Sequence, residues 1–163
     1  MNSIEDISND ILARFGLNLN MEKTKLVPFA RQGTNRHRAF DFLGFTFYWG
    51  KSRRGIAIPK VKTCGKRLRA KLKVVSQWLR QVHSRKPLIW IWNMFRAKLL
   101  GHIQYYGVSF NVRAIHTFIH QSVRIMYKWL NRRSQRRSFT WESFRLFIQL
   151  NPLPRVVIYH PLF

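Results

Sequence analysis

Residues 66–107 read KRLRAKLKVVSQWLRQVHSRKPLIWIWNMFRAKLLGHIQYYG, and this stretch decides the fold because it contains two helical patterns in succession. In 66–82 the apolar residues recur at helical spacing, and most Lys and Arg lie off their stripe. The stripe is Leu68, Leu72, Val75, Leu79 and Val82. In 88–106 apolar residues dominate and Gly107 follows as a stop signal. We predict an amphipathic helix with a cationic face, followed by the most buried helix of the fold.

Two further helices are predicted downstream. Asn111 is a good N-cap for a helix whose apolar stripe opposes a basic face. The stripe is Ile115, Ile119, Val123, Met126 and Leu130; the opposite face has Arg113, His116, His120, Arg124 and Lys128. Thr140 is a favourable N-cap for a last helix, with Glu142 at its positive end, that ends near residues 151–152.

Upstream of residue 62 the pattern indicates a short helix and a small sheet. The helical spacing of the first fifteen residues ends at Gly16, a plausible C-cap. Phe45, Phe47 and Trp49 alternate as on one face of a strand, and GKSRRG at 50–55 reads as a turn into a second strand, 56–58, that Pro59 closes. The expected fold class is α+β: a small antiparallel sheet or hairpin in 1–61, then a mainly α-helical bundle in 62–163.

Charge is the strongest functional signal. Residues 42–141 contain no carboxylate but hold 22 of the 30 Lys and Arg, and the net charge is +24. A solvated surface normally mixes both signs, so this composition indicates a polyanionic partner, either nucleic acid or an anionic membrane surface. The 46% of hydrophobic residues exclude a disordered basic tail.

Few residues are candidates for catalysis or metal binding. The six carboxylates, Glu5, Asp6, Asp10, Glu22, Asp41 and Glu142, are too scattered for a two-metal site. His116 and His120 have the i, i+4 spacing of a zinc pair, but the segment HTFIH lacks the glutamate of the metalloprotease motif and both imidazoles fall on the Arg113 and Arg124 face. The single cysteine, Cys64, excludes a disulfide framework, and no signal peptide or apolar run long enough to span a bilayer is present. We expect no metal site, no membrane insertion and no catalysis by this chain alone, and cytoplasm is the default location.

Basic residues interleaved with aromatic ones are typical of RNA binding, because cations contact phosphates and rings stack on unpaired bases. The predicted phosphate contacts are Lys66, Arg67, Arg69, Lys71 and Lys73 of the first helix, Arg53 and Arg54 of the turn, Arg113, Arg124 and Lys128 of the third helix, and Arg132, Arg133, Arg136 and Arg137 of the following loop. The alternative is an ordinary solvated helix face. Trp78, Trp90, Trp92, Trp129 and Trp141 are expected in the core, whereas Trp49, Tyr105 and Tyr106 are open between core and base stacking.

Several short motifs occur in a recognisable order: FGLNLNMEKTKLVPF (15–29), FDFLGFTFYWGKSRRG (40–55), KRLRAKL (66–72), GHIQYYG (101–107), YKWLNRRSQRRSFTW (127–141) and PLPRVVIYHP (152–161). Together they resemble the C-terminal part of group II intron reverse transcriptase/maturases, from about Arg14 to the end. The resemblance implies that residues 1–61 correspond to the end of the palm and 62–163 to the thumb, or maturase X domain. It also implies that Lys23 lies in the late palm near the incoming nucleotide and that the thumb helices clasp intron RNA. The segment that grips the primer would be Phe42, Leu43, Gly44 and Phe45.

The family's catalytic Tyr-x-Asp-Asp motif is missing, and we expect it upstream of Met1. The resemblance therefore implies an RNA-binding maturase fragment, with Mg²⁺ held by the missing palm and by the RNA. The resemblance implies structured RNA of the group II intron class and an N-terminal reverse-transcriptase chain as partners, in bacterial cytoplasm or in an organellar matrix or stroma. Alternatives are an inactive remnant, a subunit completing a split RNA-directed DNA polymerase, and a basic protein of a membrane surface or ribosome.

Overall fold

The computed structural model describes residues 11–18, 20, 24, 27–29, 39–132 and 139–162, and the chain divides into two compact units, 1–38 and 39–163. In the first unit a helix ends at residue 13. Gly16 has φ +67°, and its N–H donates to the Ala13 carbonyl at 3.0 Å while Leu17 N–H donates to the Leu12 carbonyl at 3.0 Å. These two bonds form a Schellman motif, which confirms Gly16 as the C-cap.

The second unit is α+β, as predicted. Its described residues form three strands followed by four helices: β1 Ala39–Phe42, β2 Phe45–Lys51, β3 Ala57–Thr63, α1 Gly65–Val82, α2 Leu88–Tyr106, α3 Val112–Leu130 and α4 Trp141–Leu150. The strands form one antiparallel sheet in the order β1-β2-β3. The border predicted from composition at residues 61 and 62 falls inside this unit, near the end of β3.

Strand β3 is longer than the sequence pattern indicated. It continues through Pro59, which pairs with Trp49, and ends at Thr63 rather than at Ile58. In the part of the chain that the structure describes, β3 has β2 as its one strand neighbour. A strand with a free side tolerates proline, because its missing N–H costs no ladder hydrogen bond when it faces that side.

The helices surround a main hydrophobic core centred on α2, which has more buried side chains than any other described helix, and a smaller cluster contains Ile103, Tyr106 and Ile115. Trp92, Phe95 and Leu99 of α2 are almost completely buried, and Phe118 of α3 and Phe144 of α4 pack into the same cluster. The predicted position of α2 at the centre is confirmed. The buried row of α3 also includes Phe118 and Ser122, which the predicted stripe omitted.

The five tryptophans that were expected in the core differ in their burial. Trp92 is fully buried, and Trp78 and Trp129 are half-buried against the core. Trp90 and Trp141 are 38% and 43% exposed, so their assignment to the core is wrong. Periodicity misses this because both rings lie at the N-terminal ends of their helices, where less of the bundle covers them.

Asn111 precedes α3 as predicted, but its side chain makes no cap hydrogen bond. It is fully buried and joins the sheet to the helices. Its Oδ1 accepts from Thr63 N–H at 2.7 Å, and its Nδ2 donates to the Thr63 hydroxyl and to the Tyr106 carbonyl, both at 2.9 Å. The predicted N-cap is therefore a tertiary link between β3 and the end of α2. Among the described helices, none has the length and apolar character needed to cross a bilayer.

Candidate nucleic-acid interface

The predicted cations of α1 lie on one exposed face. Lys66, Arg67, Arg69, Lys71 and Lys73 are all exposed. Leu72, Val75 and Leu79 on the opposite side are buried against the core. This separation confirms the amphipathic pattern, while contact of the cations with RNA stays a prediction.

The start of α1 has an unusual charge arrangement. Lys66 and Arg67 lie in the first turn, which contains no acidic residue, and the N-cap Cys64 makes no side-chain cap hydrogen bond. The N-terminus of a helix has a partial positive charge, so two cations there are unfavourable and an anion is stabilised. The local electrostatics therefore favour an external anionic ligand at this end of α1.

A rigid two-residue turn lies beside this helix end. Leu43 and Gly44, between β1 and β2, have φ of +48° and +84°, which is the positive-φ pair that type I′ hairpin turns require. Tyr105 Oη donates to the Leu43 carbonyl at 2.8 Å, and Cys64 N–H donates to the Gly44 carbonyl at 2.9 Å. A Cβ at Gly44 would lie 3.0 Å from Tyr106 Oη, so the close packing also favours glycine. Both carbonyls of the turn are thus held.

The turn and the start of α1 share one cleft of about 430 Å³, which we call the turn cleft; it is lined by Asp41, Phe42, Leu43, Gly44, Cys64, Lys66, Arg67 and Ala70. It brings together three of the four residues predicted to grip a primer and two of the predicted phosphate contacts. Phe42 and Leu43 are 58% and 67% exposed. The fourth, Phe45, packs its ring against Tyr105 and Tyr106, with centroids 5.9 and 5.1 Å apart. Cations beside exposed apolar side chains suit a nucleotide strand, whose phosphates and bases need different contacts.

Asp41 is the single carboxylate that lines the turn cleft. Its Oδ1 accepts from the Thr46 hydroxyl at 2.5 Å and its Oδ2 from the Cys64 thiol at 3.1 Å. These hydrogen bonds, followed by the nearby Lys66 and Lys62, hold the pKa of Asp41 below its usual value. Both oxygens are engaged in joining β1, β2 and the start of α1, so we assign this carboxylate a structural role.

Tyr105 and Tyr106 differ in their exposure. Tyr106 is 2% exposed and belongs to the core, whereas Tyr105 is 51% exposed. The Lys71 ammonium lies 5.7 Å from the centroid of the Tyr105 ring and 5.2 Å from that of Tyr106. Trp49 is half-buried in β2. Of these three residues, Tyr105 combines exposure with an adjacent cation, and base stacking by Tyr105 stays a prediction.

A second basic surface lies on α3. Arg113, Arg124 and Lys128 are exposed there together with His116 and His120, as predicted. A cleft of about 640 Å³ runs between this face and the start of α4, lined by His120, Arg124, Ile125, Tyr127, Lys128 and Trp141. We call it the α3–α4 cleft. Sequence reasoning placed Trp141 in the core, although its position beside the predicted N-cap Thr140 was a signal that the ring lies at a helix end.

The other predicted contacts are not brought into either cleft. Arg53 and Arg54 are exposed in the loop between β2 and β3, at the far end of β2 from the turn cleft and about 20 Å away along the strand. Arg132 is exposed, with its guanidinium 5.2 Å from the Trp129 ring. Lys23, Arg133, Arg136 and Arg137 lie outside the residues that the structure describes.

Within the described part of the chain, no three His, Cys, Asp or Glu side chains are placed to hold a metal ion. The described residues thus place cations, aromatic rings and exposed apolar side chains around two clefts. Comparisons with protein-family models, with curated proteins and with solved structures find no match for this chain.

Proposed function

We propose that this chain is an RNA-binding protein of the maturase type, which binds structured RNA of the group II intron class and assists its splicing without a polymerase centre of its own. The observation that carries the proposal is the turn cleft, where Lys66 and Arg67 stand beside a hydrogen-bonded turn with exposed Phe42 and Leu43. The absence of carboxylates across residues 42–141 supports the same partner, because phosphate-binding surfaces exclude them.

In this proposal the protein acts passively on the RNA. Lys and Arg on the exposed faces of α1 and α3 neutralise phosphates that approach closely in the folded RNA, and counterions are released. Binding to the folded RNA then stabilises it by mass action. The splicing chemistry stays with the RNA, as does the Mg²⁺ it needs. The proposed location is the compartment of the RNA, either bacterial cytoplasm or an organellar matrix or stroma.

Charge reversal in the turn cleft tests this proposal. We expect the double variant Lys66→Glu, Arg67→Glu to weaken binding to a folded group II intron RNA. Each lost phosphate contact lowers the slope of log K against log salt by about 0.7 to 0.9, so the slope should fall by at least that amount. Fluorescence anisotropy at four salt concentrations measures both the affinity and the slope.

The matched control is Arg85→Glu, Lys86→Glu, which removes two exposed cations in the α1–α2 connection, outside both clefts. This control changes the net charge by the same amount as Lys66→Glu, Arg67→Glu. Equal loss of affinity in both double variants would show that charge alone, and not the turn cleft, determines binding. A wild-type protein that binds the folded intron no better than a random polymer of equal charge would refute the proposed function.

A second candidate function is a subunit that completes a split RNA-directed DNA polymerase. One observation favours it: the exposed face of α2 is apolar, with Ile89, Trp90, Met94 and Leu100 between 38% and 57% exposed. Such a surface suits a protein partner better than a phosphate backbone. Primer extension that appears when the chain is mixed with an N-terminal reverse-transcriptase chain would support this function, and its absence with both chains folded would exclude it.

A further inference from the structure

The α3–α4 cleft combines a row of cations with an exposed aromatic ring. His120, Arg124 and Lys128 follow each other at i, i+4 on the exposed face of α3, so their Cβ atoms are about 5–6 Å apart along one wall. Trp141, the first residue of α4, lines the same cleft and is 43% exposed. The cations and the aromatic ring therefore line the same open cleft.

The Trp141 ring is held by its neighbours. Thr140 Oγ1 accepts from Ser143 N–H at 3.2 Å and caps α4 just before Trp141. The Tyr127 ring packs on Trp141 with centroids 4.9 Å apart and planes at 88°, and Tyr127 Oη donates to the Phe139 carbonyl at 3.3 Å. An aromatic ring fixed in this way can stack on a ligand at little cost in side-chain entropy.

We propose that the α3–α4 cleft binds one unpaired nucleotide of the RNA, with its base stacked on Trp141 and its flanking phosphates contacted by Arg124 and Lys128. This inference rests on the proposed function, because it names the element that RNA presents to this second surface. The cleft volume of about 640 Å³ lies in the range of ordinary small-ligand sites. A paired base cannot reach the ring, because its faces are covered by the duplex stack.

The side chains on the two walls of the cleft determine where the phosphates and the base of the nucleotide bind. Glu142 already places a carboxylate in the first turn of α4, where it complements the positive end of that helix. A phosphate is therefore directed to the opposite wall, to Arg124 and Lys128 of α3. Tyr127 and Ile125 between them supply the apolar surface that a base requires.

Two RNA hairpins that differ in one feature test the site. One is fully paired and the other carries a single unpaired purine in its stem. We expect the wild-type protein to bind the second hairpin at least five-fold more tightly, the effect of one stacked base. Trp141→Ala should abolish this preference with an unchanged salt slope. Arg124→Gln with Lys128→Gln should instead lower the slope by about 0.7 to 0.9 per lost contact.

Trp90→Ala is the matched control, since Trp90 is 38% exposed at the start of α2 and lines neither cleft. It should keep the preference for the unpaired purine. Trp141→Phe replaces Trp141→Ala in this test if the alanine variant does not fold. It preserves an aromatic ring, so it should retain part of the preference for the unpaired purine. In Trp141→Phe, the hairpin with the unpaired purine should quench tryptophan fluorescence less than it does in the wild type.

The outcomes separate this inference from the proposed function. If Trp141→Ala keeps the full preference, or if Trp141→Phe shows wild-type quenching, the nucleotide site is refuted, while the effect of the Lys66 and Arg67 variant on intron binding stands. If the wild type binds both hairpins equally but binds the intron in a way that needs Lys66 and Arg67, the inference alone fails. If charge reversal at Lys66 and Arg67 also has no effect, both fail.

Discussion

Replacement of Asn111 by alanine should destabilise the protein by more than the loss of a helix cap. In the structure its side chain is the hydrogen-bonded link between Thr63 in β3 and the Tyr106 carbonyl at the end of α2. Removing it leaves the Thr63 N–H without that acceptor at a residue that is 5% exposed. A buried donor without a partner costs about 1–3 kcal/mol, and loss of the bond to Tyr106 adds about 1 kcal/mol. We expect a total loss of about 3 kcal/mol.

Urea unfolding followed by circular dichroism measures this change. In thermal unfolding, the same loss of about 3 kcal/mol corresponds to a fall in Tm of roughly 9 °C for a chain of this size. The control Asn93→Ala removes an exposed asparagine from the middle of α2 and should change stability by less than about 0.5 kcal/mol.

Asn111→Asp distinguishes the tertiary link from the cap that sequence reasoning assigned. Asp and Asn are equally good N-caps, so a capping role predicts little change. In the structure, aspartate loses the donor to the Tyr106 carbonyl and places a carboxylate in a fully buried position. We therefore expect Asn111→Asp to destabilise by at least about 2 kcal/mol. Stability of this variant equal to the wild type would refute the assignment of Asn111 as a link.

Two further predictions concern stability. Gly44→Ala should lower the free energy of unfolding in urea more than Gly55→Ala does. Both glycines have positive φ, but a Cβ at position 44 would lie 3.0 Å from Tyr106 Oη, whereas nothing lies within 4 Å of a Cβ at position 55. Equal losses of stability would mean that the turn cleft is loosely packed. Burial, with a smaller effect of Lys71, lowers the pKa of His102 from 6.5 to about 3. The unfolded chain then binds one more proton than the folded protein between pH 6.5 and 3, so the free energy of unfolding should fall through that window as pH decreases, by up to about 1.4 kcal/mol per pH unit, and His102→Met should flatten the dependence.

Helical periodicity predicted the bundle well because the apolar stripes of its helices face one core. The bounds of α2 agree with the spacing of its apolar residues, and the stripe of α1 lies on the buried side. An apolar stripe identifies the hydrophobic residues of one helix that face the core, so it did not identify Ser122, which is buried but polar. That serine is fully buried in α3, and its hydroxyl makes no hydrogen bond within the described residues.

The sheet and the clefts depend on contacts that are distant in the sequence, and here prediction was weaker. The turn at Leu43 and Gly44 was not predicted, since these residues were named only as part of the segment that would grip a primer, and nothing local indicates that Tyr105, 62 residues away, holds it. Asn111 looked like a cap because caps are local, yet its side chain bonds to Thr63 of β3, which is 48 residues away. Exposure of Trp141 depends on how much of the bundle covers the start of α4, which no periodic pattern contains.

The start of α1 shows why the turn cleft, rather than the basic surface in general, carries the proposed function. Two cations in the first turn of a helix oppose its dipole, each at a cost of about 0.3–1 kcal/mol, and the residues that normally relieve this, an acidic first turn or a side-chain cap, are missing. Asp41 is close and its carboxylate attracts Lys66, but it is one anion beside two cations, and its two oxygens already accept from the Thr46 hydroxyl and the Cys64 thiol. An incoming phosphate therefore relieves an unfavourable arrangement that already exists in the free protein. On an exposed helix face away from both clefts, a phosphate gains contact with a cation but offsets no such arrangement. We therefore expect charge reversal at Lys66 and Arg67 to cost more affinity than charge reversal at two exposed cations outside both clefts.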